Sequence, residues 1–402
     1  MAYLQALFIL SFLVLFSCYF AYPAVFYLLC RFKGTGAAFV GPADPLPTVA
    51  LIISLCNEGE DIIRATYRNR LTLDYPTGRL ELFFVVDGLS EAAKGVINAG
   101  EVESNKHRVT LFETGERLGK TAALNQVLPR INAEVVVFSD ANSLYEFDAV
   151  KKLVGHFKDA GVGGVCGELQ YVDEKTSDMT GPVSGIYMRY EKFIKTAESR
   201  VSTLTVYNGA IYALRYFIHR EMNPQAANDF QHPAQVVLRG CRSVYEPEAI
   251  AYEGMVKSDL VEFRRTIRIT ARGWKGFFTY PALVNPFKTG FFSLQFMFRK
   301  LLRWLSPVFM LTMLVSSFLL REQALYFVFF IMQAGFYLAA FGGWLLRGAS
   351  LPKIFYFPYY FCLLNLAALL GLFNFFLRQD TATWKPTTEP ARNTTTNSTE
   401  NS

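Results

Sequence analysis

Residues 1–30 contain no charged side chain and consist mainly of Leu, Phe, Ala and Tyr. A helix needs roughly 20 apolar residues to cross a bilayer, so this run can span with tilt. It lacks the basic leading segment of a secretory signal, and its apolar stretch is longer than a signal core. Three further uncharged runs, 304–320, 323–346 and 354–377, lie near the other end. The expectation is an integral membrane protein with one span before a central region and three after it. Charged residues make up only 18% of the chain, against about 25% in soluble domains, which argues against an ordinary soluble enzyme. Arg31, Lys33, Arg299, Lys300, Arg303, Arg347 and Lys353 flank one side of these spans, and Arg321, Arg378, Lys385 and Arg392 the other. The excess of Lys and Arg places the central region in the cytoplasm, beneath a plasma membrane, with both termini outside. Residues 286–302, PFKTGFFSLQFMFRKLL, read as an amphipathic helix lying in the interface. The polar end, 379–402, reads as disordered. A net charge of +6 without a compact basic run gives no nucleic-acid signature.

Residues 47–280 have the size of one α/β domain. Short apolar runs alternate with helix-like stretches: VALIISL before DIIRATYRNRL, LELFFVVDG before EAAKGVINAGE, RVTLFET before KTAALNQVL, and AEVVVFSD before FDAVKKLVGHF. That alternation predicts a Rossmann-like, mostly parallel sheet covered on both faces. GERLGKT (115–121) has the flavour of a Walker loop, but three residues separate its glycines where that loop has four. GVGGVCG (161–167) is far from the first strand and is better explained by tight turns than by dinucleotide binding.

Ligands bind such sheets at the carboxyl ends of the strands. There the chain places Asn57 and Glu58, Asp87, and Asp140 with Asn142. Carboxylates at neighbouring strand ends can hold a nucleotide and a divalent cation on its diphosphate. Asp140 and Asn142 are two residues apart, so an extended chain puts them on one side. Lys120, with Arg117, adds positive charge for a diphosphate. Asp229, in AANDFQHP, is a carboxylate able to take a proton from an attacking hydroxyl. Arg264, Arg265, Arg268 and Arg272 form a row that can stabilise a departing diphosphate. The six cysteines and four histidines are scattered, without metal-ligand spacing.

The ordered set Asn57-Glu58, VVDG, GKxxALN (119–125), SDAN, NDF, YEPEA and RRxxR resembles family 2 glycosyltransferases. It is most similar to the membrane-embedded synthases of cellulose, chitin-oligosaccharide, hyaluronan and poly-N-acetylglucosamine type, whose layout of spans it shares. The resemblance implies a GT-A fold, a nucleotide-sugar donor, Mg2+ or Mn2+, and inversion at the anomeric carbon. It implies that Asp87 binds the nucleotide, that Asp140 and Asn142 occupy the D-x-D metal motif, and that Asp229 is the general base. Residues 265–269, with Arg265 and Arg268, fall on the Q-x-x-R-W segment, and Asn57, Glu58 and Lys120 complete the donor side. Asn142 replaces the second Asp of that pattern. The segment also lacks its Gln and its Trp, so Trp274, from the next helical turn, is the candidate to stack on the acceptor sugar.

The function the resemblance implies is transfer of a sugar, from a UDP-sugar by preference, to a growing glycan, an extracellular polysaccharide. One alternative is addition of a single sugar to a lipid such as a polyprenyl phosphate. A non-catalytic scaffold or transporter with a degenerate sugar-nucleotide domain is the alternative from another class. The three later apolar runs hold none of the intramembrane charges a transporter uses.

Overall fold

The central strand β1 (Val49–Leu55) is buried on both faces, which is why VALIISL reads as a continuous apolar run rather than an alternation. It pairs in parallel with β2 (Leu80–Val86) on one side and β4 (Val135–Asp140) on the other, and β3 (Arg108–Glu113) extends the parallel set beyond β2. The computed structural model describes residues 1–32, 45–100, 106–172, 182–254, 259–346 and 353–378. The polar end, 379–402, lies outside the described residues.

Beyond β4 the sheet becomes mixed. With β5 (Leu144–Tyr145), β6 (Val162–Val172), β7 (Ile211–Arg215) and β8 (Arg242–Gly254), the order is β3-β2-β1-β4-β7-β6-β8-β5. β7 is antiparallel to both β4 and β6, β6 runs parallel to β8, and β5 is antiparallel to β8. The expected parallel sheet thus holds for β3-β2-β1-β4 and β6–β8. On one face Leu51, Ile53, Leu82 and Phe84 pack on Ile63, Ile97 and Leu153. On the other, Ile52, Phe83 and Phe138 pack on Leu124, Leu128 and Tyr212. Each such side chain contributes about 1.5–3 kcal/mol of burial.

Among the described residues, three helices are long and apolar enough to cross a membrane: Ala2–Phe32, Ala324–Leu345 and Ile354–Phe376. The expected span 304–320 is a helix of only 14 residues, Ser306–Leu319. It is bent by 63° from the preceding helix, Phe291–Trp304, and only the two together would make a fourth, broken span. Pro307 explains the break, because it has no N–H to continue the ladder back to Arg303.

The helix Phe291–Trp304 is clamped to the domain. Phe292 and Phe296 are buried against Phe230 and Leu283, while Phe287, just before it, is 98% exposed. Arg299 is ion-paired with Glu191 and Glu198 of the helix Pro182–Val201, and Arg303 with Glu191 at 3.3 Å. Tyr22, on the first helix, donates to Glu198 at 2.7 Å.

Candidate functional site

The turn after β4 carries Asp140, Ala141 and Asn142, and the helix Glu60–Leu71 fixes its shape from behind. Thr66 donates to the Ala141 carbonyl at 2.5 Å. Arg70, wholly buried, donates to Ser139 Oγ at 2.8 Å and to the Ser143 carbonyl, and its guanidinium lies 3.8 Å from the Tyr145 ring centre. Burial pushes Arg70 down to about 10, against the pull of Tyr145. Held this way, Asp140 faces the cleft, with 39% of its side chain accessible, and accepts a hydrogen bond from Lys120. Burial pushes the Asp140 carboxyl up, but Lys120, Arg265 and Arg268 outweigh it and hold it below the ordinary carboxylate value. Asn142, two residues on, is exposed.

Lys120 opens the helix Lys120–Val127, and Asp87 holds the loop that leads into it. Asp87 is buried and accepts from the backbone N–H of Leu118 at 2.7 Å and of Gly119 at 2.9 and 3.0 Å. Gly119 has φ +93°, a conformation that L side chains rarely adopt, so the segment that looked like a Walker loop is a glycine-dependent helix entry. Both Asp87 oxygens therefore serve the loop beside the cleft. Glu58 accepts from Cys56 N at 2.5 Å, and burial, with the Asp140 charge, raises its carboxyl. Asn57 is exposed on the same turn. Arg117 reaches Cys56 Sγ at 2.8 Å, so it borders this strand end too.

Asp229 stands in the first turn of the helix Asn228–Leu238. A point 3.3 Å from Asp140 Oδ2 and 3.7 Å from Asp229 Oδ2 marks where a Cβ on Gly209 would lie. The two carboxylates that the sequence singled out thus converge on Gly209, where a Cβ would press against the Asp140 carboxylate. Burial, then Asp140, raise the Asp229 carboxyl, against Lys120, Arg272 and Lys300. A raised carboxylate is a stronger base, which suits proton abstraction. Behind it, Asn228 donates to Tyr212 Oη at 2.6 Å, and Tyr212 Oη meets His232 Nδ1 at 2.9 Å, a buried network that pins the start of this helix to β7.

The helix Asp259–Thr279 closes the cleft with its arginines. Arg265 donates to Tyr171 Oη at 3.2 Å. Arg272 donates to Thr121 Oγ1 and the Ala226 carbonyl, both at 2.9 Å. Between them, Arg268 is lowered to about 10 by burial and by its neighbours Arg272 and Arg265, against the pull of Asp140 and Asp229. Arg264, also part of the row, is exposed to solvent. Trp274 is 6% exposed and packs on Trp304 at 5.4 Å and Phe375 at 6.3 Å, so its ring is buried among aromatic neighbours.

Sequence reading missed Gly209, Tyr171 and Glu253. Glu253, at the end of β8, accepts from Ser143 and is raised by burial and by Asp140. Tyr171 and Glu253 belong to long strands whose alternation gave no polar signal.

Among the described residues, no group of three His, Cys, Asp or Glu side chains is arranged to hold a metal. Asp140 and Asn142 fit a different arrangement, a hard cation that takes one or two oxygens from protein and the rest from diphosphate and water. The accessible Asp140 carboxylate, at present bonded to Lys120, is the observation that favours this fit.

Residues 50–219 match the model of glycosyl transferase family 2. A β-monoglucosyldiacylglycerol synthase of Trichormus variabilis is 31% identical over 120 residues, 30% of this chain and 25% of the relative. An N-acetylglucosaminyltransferase of Rhizobium meliloti is 30% identical over 125 residues, 31% of this chain and 29% of the relative. The matched segments thus cover between a quarter and a third of these relatives' length. The fold matches that of the mannosyltransferase PcManGT from Pyrobaculum calidifontis, solved with GDP-Man and Mn2+, with a TM-score of 0.67 and 18% identity, over 93% of this chain and 99% of that one. Residues 50–219 are thus similar to glycosyl transferase family 2, and the mixed sheet has the GT-A-like fold.

Proposed function

We propose that the protein is an inverting glycosyltransferase that moves one sugar from a nucleotide sugar to a lipid-anchored acceptor at the cytoplasmic face of the plasma membrane, with both termini outside. The observation that carries this reading is the convergence of Asp140 and Asp229 on Gly209, beneath a row of arginines. Asp229 takes the proton of the acceptor hydroxyl, whose oxygen forms the new bond to the anomeric carbon. The bond from that carbon to the donor diphosphate breaks on the opposite face, and the electron pair leaves with the nucleoside diphosphate. Lys120, Arg265 and Arg268 stabilise that leaving charge in a low-dielectric cleft. Asp140 and Asn142 would hold Mg2+ or Mn2+, which supplies further neutralisation of the diphosphate. Asn57, Glu58 and Asp87 shape the nucleotide end.

Two observations favour a lipid acceptor. The arginine helix packs directly on an apolar helix long enough to span, with Gly371 against Thr270 and Ile267. The Trp274 ring, the candidate platform for a growing glycan, is buried. Extension of a polysaccharide is the second reading, supported by the placement of the Phe-rich helix Phe291–Trp304 between domain and spans. The test supplies detergent-purified protein with Mn2+ or Mg2+, membrane lipids, and labelled UDP- and GDP-sugars. Label confined to a small organic-extractable product supports the lipid reading, and a ladder of lengths overturns it. Asp229→Asn should lose transfer by about 10²–10⁴-fold while nucleotide binding, measured by calorimetry, persists. Undiminished turnover in that variant removes Asp229 from its role.

A further inference from the structure

Arg264, Arg265, Arg268 and Arg272 form one row in the sequence, but Arg272 keeps different company from the rest. Its Nη2 donates to Thr121 Oγ1 and to the Ala226 carbonyl, both at 2.9 Å, and Thr121 Oγ1 donates to the same carbonyl at 2.9 Å. The direction of each bond follows from its groups. A guanidinium only donates, so the Thr121 hydroxyl accepts from it and has its single proton left for Ala226. The two hydrogens of Nη2 are thus committed to protein oxygens, and Thr121 and Ala226 are wholly buried. Against burial, which raises both carboxyls, Arg265 and Arg268 join Lys120 in lowering Asp140, and Arg272 joins Lys120 in lowering Asp229.

Three functional elements meet at this triangle. Thr121 follows Lys120 at the start of its helix, Ala226 lies just ahead of Asp229, and Arg272 sits one turn beyond Arg268. The Ala226 carbonyl also accepts from the buried Gln231 amide at 3.2 Å, and that amide donates to the Asn223 carbonyl at 2.9 Å. The chain on both sides of Asp229 is therefore tied to one oxygen. One turn after Arg272, a Cβ on Gly276 would come 2.4 Å from the Phe230 ring. The arginine helix thus touches the chain ahead of Asp229 through Arg272 and the chain after it at Gly276. Groups that react are held in place by such a supporting layer of packing and hydrogen bonds.

Resting on the reading of Asp229 as the base of an inverting transfer, we propose that Arg272 is a positioning residue and not a diphosphate ligand. With Thr121 and the Ala226 carbonyl it fixes the base relative to the cations that receive the leaving group. In-line displacement needs the base and the leaving group on opposite faces of one carbon, so a shift at this joint slows the chemical step. Donor binding is left to Lys120, Arg265 and Arg268.

The test uses the full chain purified in detergent, with Mn2+ and the labelled nucleotide sugar that the unaltered protein turns over. Thr121→Val removes the hydroxyl at nearly constant shape and charge. It should lower kcat about tenfold while the affinity for UDP and GDP, read by calorimetry, stays within about twofold. The acid limb of its pH profile should stay in place, and Thr121→Ser should restore the rate. Arg272→Met should lower kcat about a hundredfold, again with affinity within about twofold. It should also move the acid limb to higher pH, because a cation that lowers Asp229 is gone. The double variant should be no slower than Arg272→Met, since both changes act through one joint. A nucleotide affinity that falls about tenfold or more in Arg272→Met makes Arg272 a diphosphate ligand and overturns the inference. Additive losses in the double variant overturn the shared joint. A rate loss in Thr121→Val that Thr121→Ser fails to restore, and that follows a lowered thermal midpoint, reduces the joint to support of the fold and overturns it as well. Undiminished transfer in Asp229→Asn, or no transfer by the unaltered protein, is the failure of the transferase reading itself, and this inference falls with it.

Discussion

Asp229 is held between opposing influences: burial and Asp140 raise its carboxyl, and Lys120, Arg272 and Lys300 lower it. The net shift is upward, so Asp229 stays protonated at a pH where an exposed aspartate is already ionised. Transfer should therefore rise with pH through the raised value before it levels. Lys120 lowers both Asp229 and Asp140, so Lys120→Met should move the acid limb of kcat/KM to higher pH as well as slow the reaction. A limb that stays in place would show that another group governs it. Gly209 is the second test at this scale. A methyl group there would sit 3.3 Å from Asp140 Oδ2, tighter than most real contacts, and would enter the space between the two carboxylates. Gly209→Ala should cost about a hundredfold in kcat/KM, the scale of a small misplacement of reacting groups, with an unchanged thermal midpoint. Asp140 stood out in the sequence as an acid that ends an apolar run, and Asp229 as the acid of the NDF segment in the family resemblance. Gly209 did not, because the crowding there comes from carboxylates on two other elements.

The alternation of apolar runs and helix-like stretches made the elements of the domain legible, including the strand that ends at Asp140. The pattern carries no signal for pairing direction, so the antiparallel insertion of β7 between β4 and β6 was invisible to it. It was equally silent on which helix packs on which. The helix Asp259–Thr279 lies along Lys353–Phe376, where a Cβ on Gly371 would meet Thr270 Cβ at 2.7 Å and the Ile267 carbonyl at 2.8 Å, and where Phe278 stacks on Phe375 at 5.0 Å. Backbone cannot retreat as a flexible side chain can, so a larger residue at Gly371 must push the arginine helix away. Gly371→Leu should destabilise by about 1–3 kcal/mol through overpacking. Because Arg265, Arg268 and Arg272 ride on that helix, it should also raise KM for the nucleotide sugar. Thermal unfolding and donor titration read the two effects separately, and a stability loss with unchanged KM would uncouple this contact from the site.

The joint between the catalytic domain and the membrane helices rests on a small buried ion network. Glu198 accepts from Tyr22 on the first helix at 2.7 Å and from Arg299 at 3.1 Å, while Arg299 and Arg303 share Glu191. Burial pushes the Glu191 carboxyl up, but Arg299 and Arg303 outweigh it and hold it well below the ordinary carboxylate range. A depressed carboxylate contributes stability above its unfolded value, which is lost only as pH falls through the folded one, so this joint should persist through mild acid. The sequence displayed Arg299, Lys300 and Arg303 as charges flanking an apolar run, the usual mark of a membrane boundary. Their partners lie on a helix that the sequence had assigned to no role, so the clamp could not be read from it. Taking two ions out of water is costly, and such a pair is retained at little net gain, but removal of one partner leaves the others uncompensated. Arg299→Met should therefore destabilise by about 3–5 kcal/mol, whereas Arg299→Met combined with Glu191→Gln and Glu198→Gln should recover much of that loss. The measurement is the thermal midpoint of the detergent-purified single and triple variants. If the triple variant is no more stable than the single one, the ions hold the joint by net attraction; recovery would mean that they chiefly fix the orientation of the domain on its membrane helices.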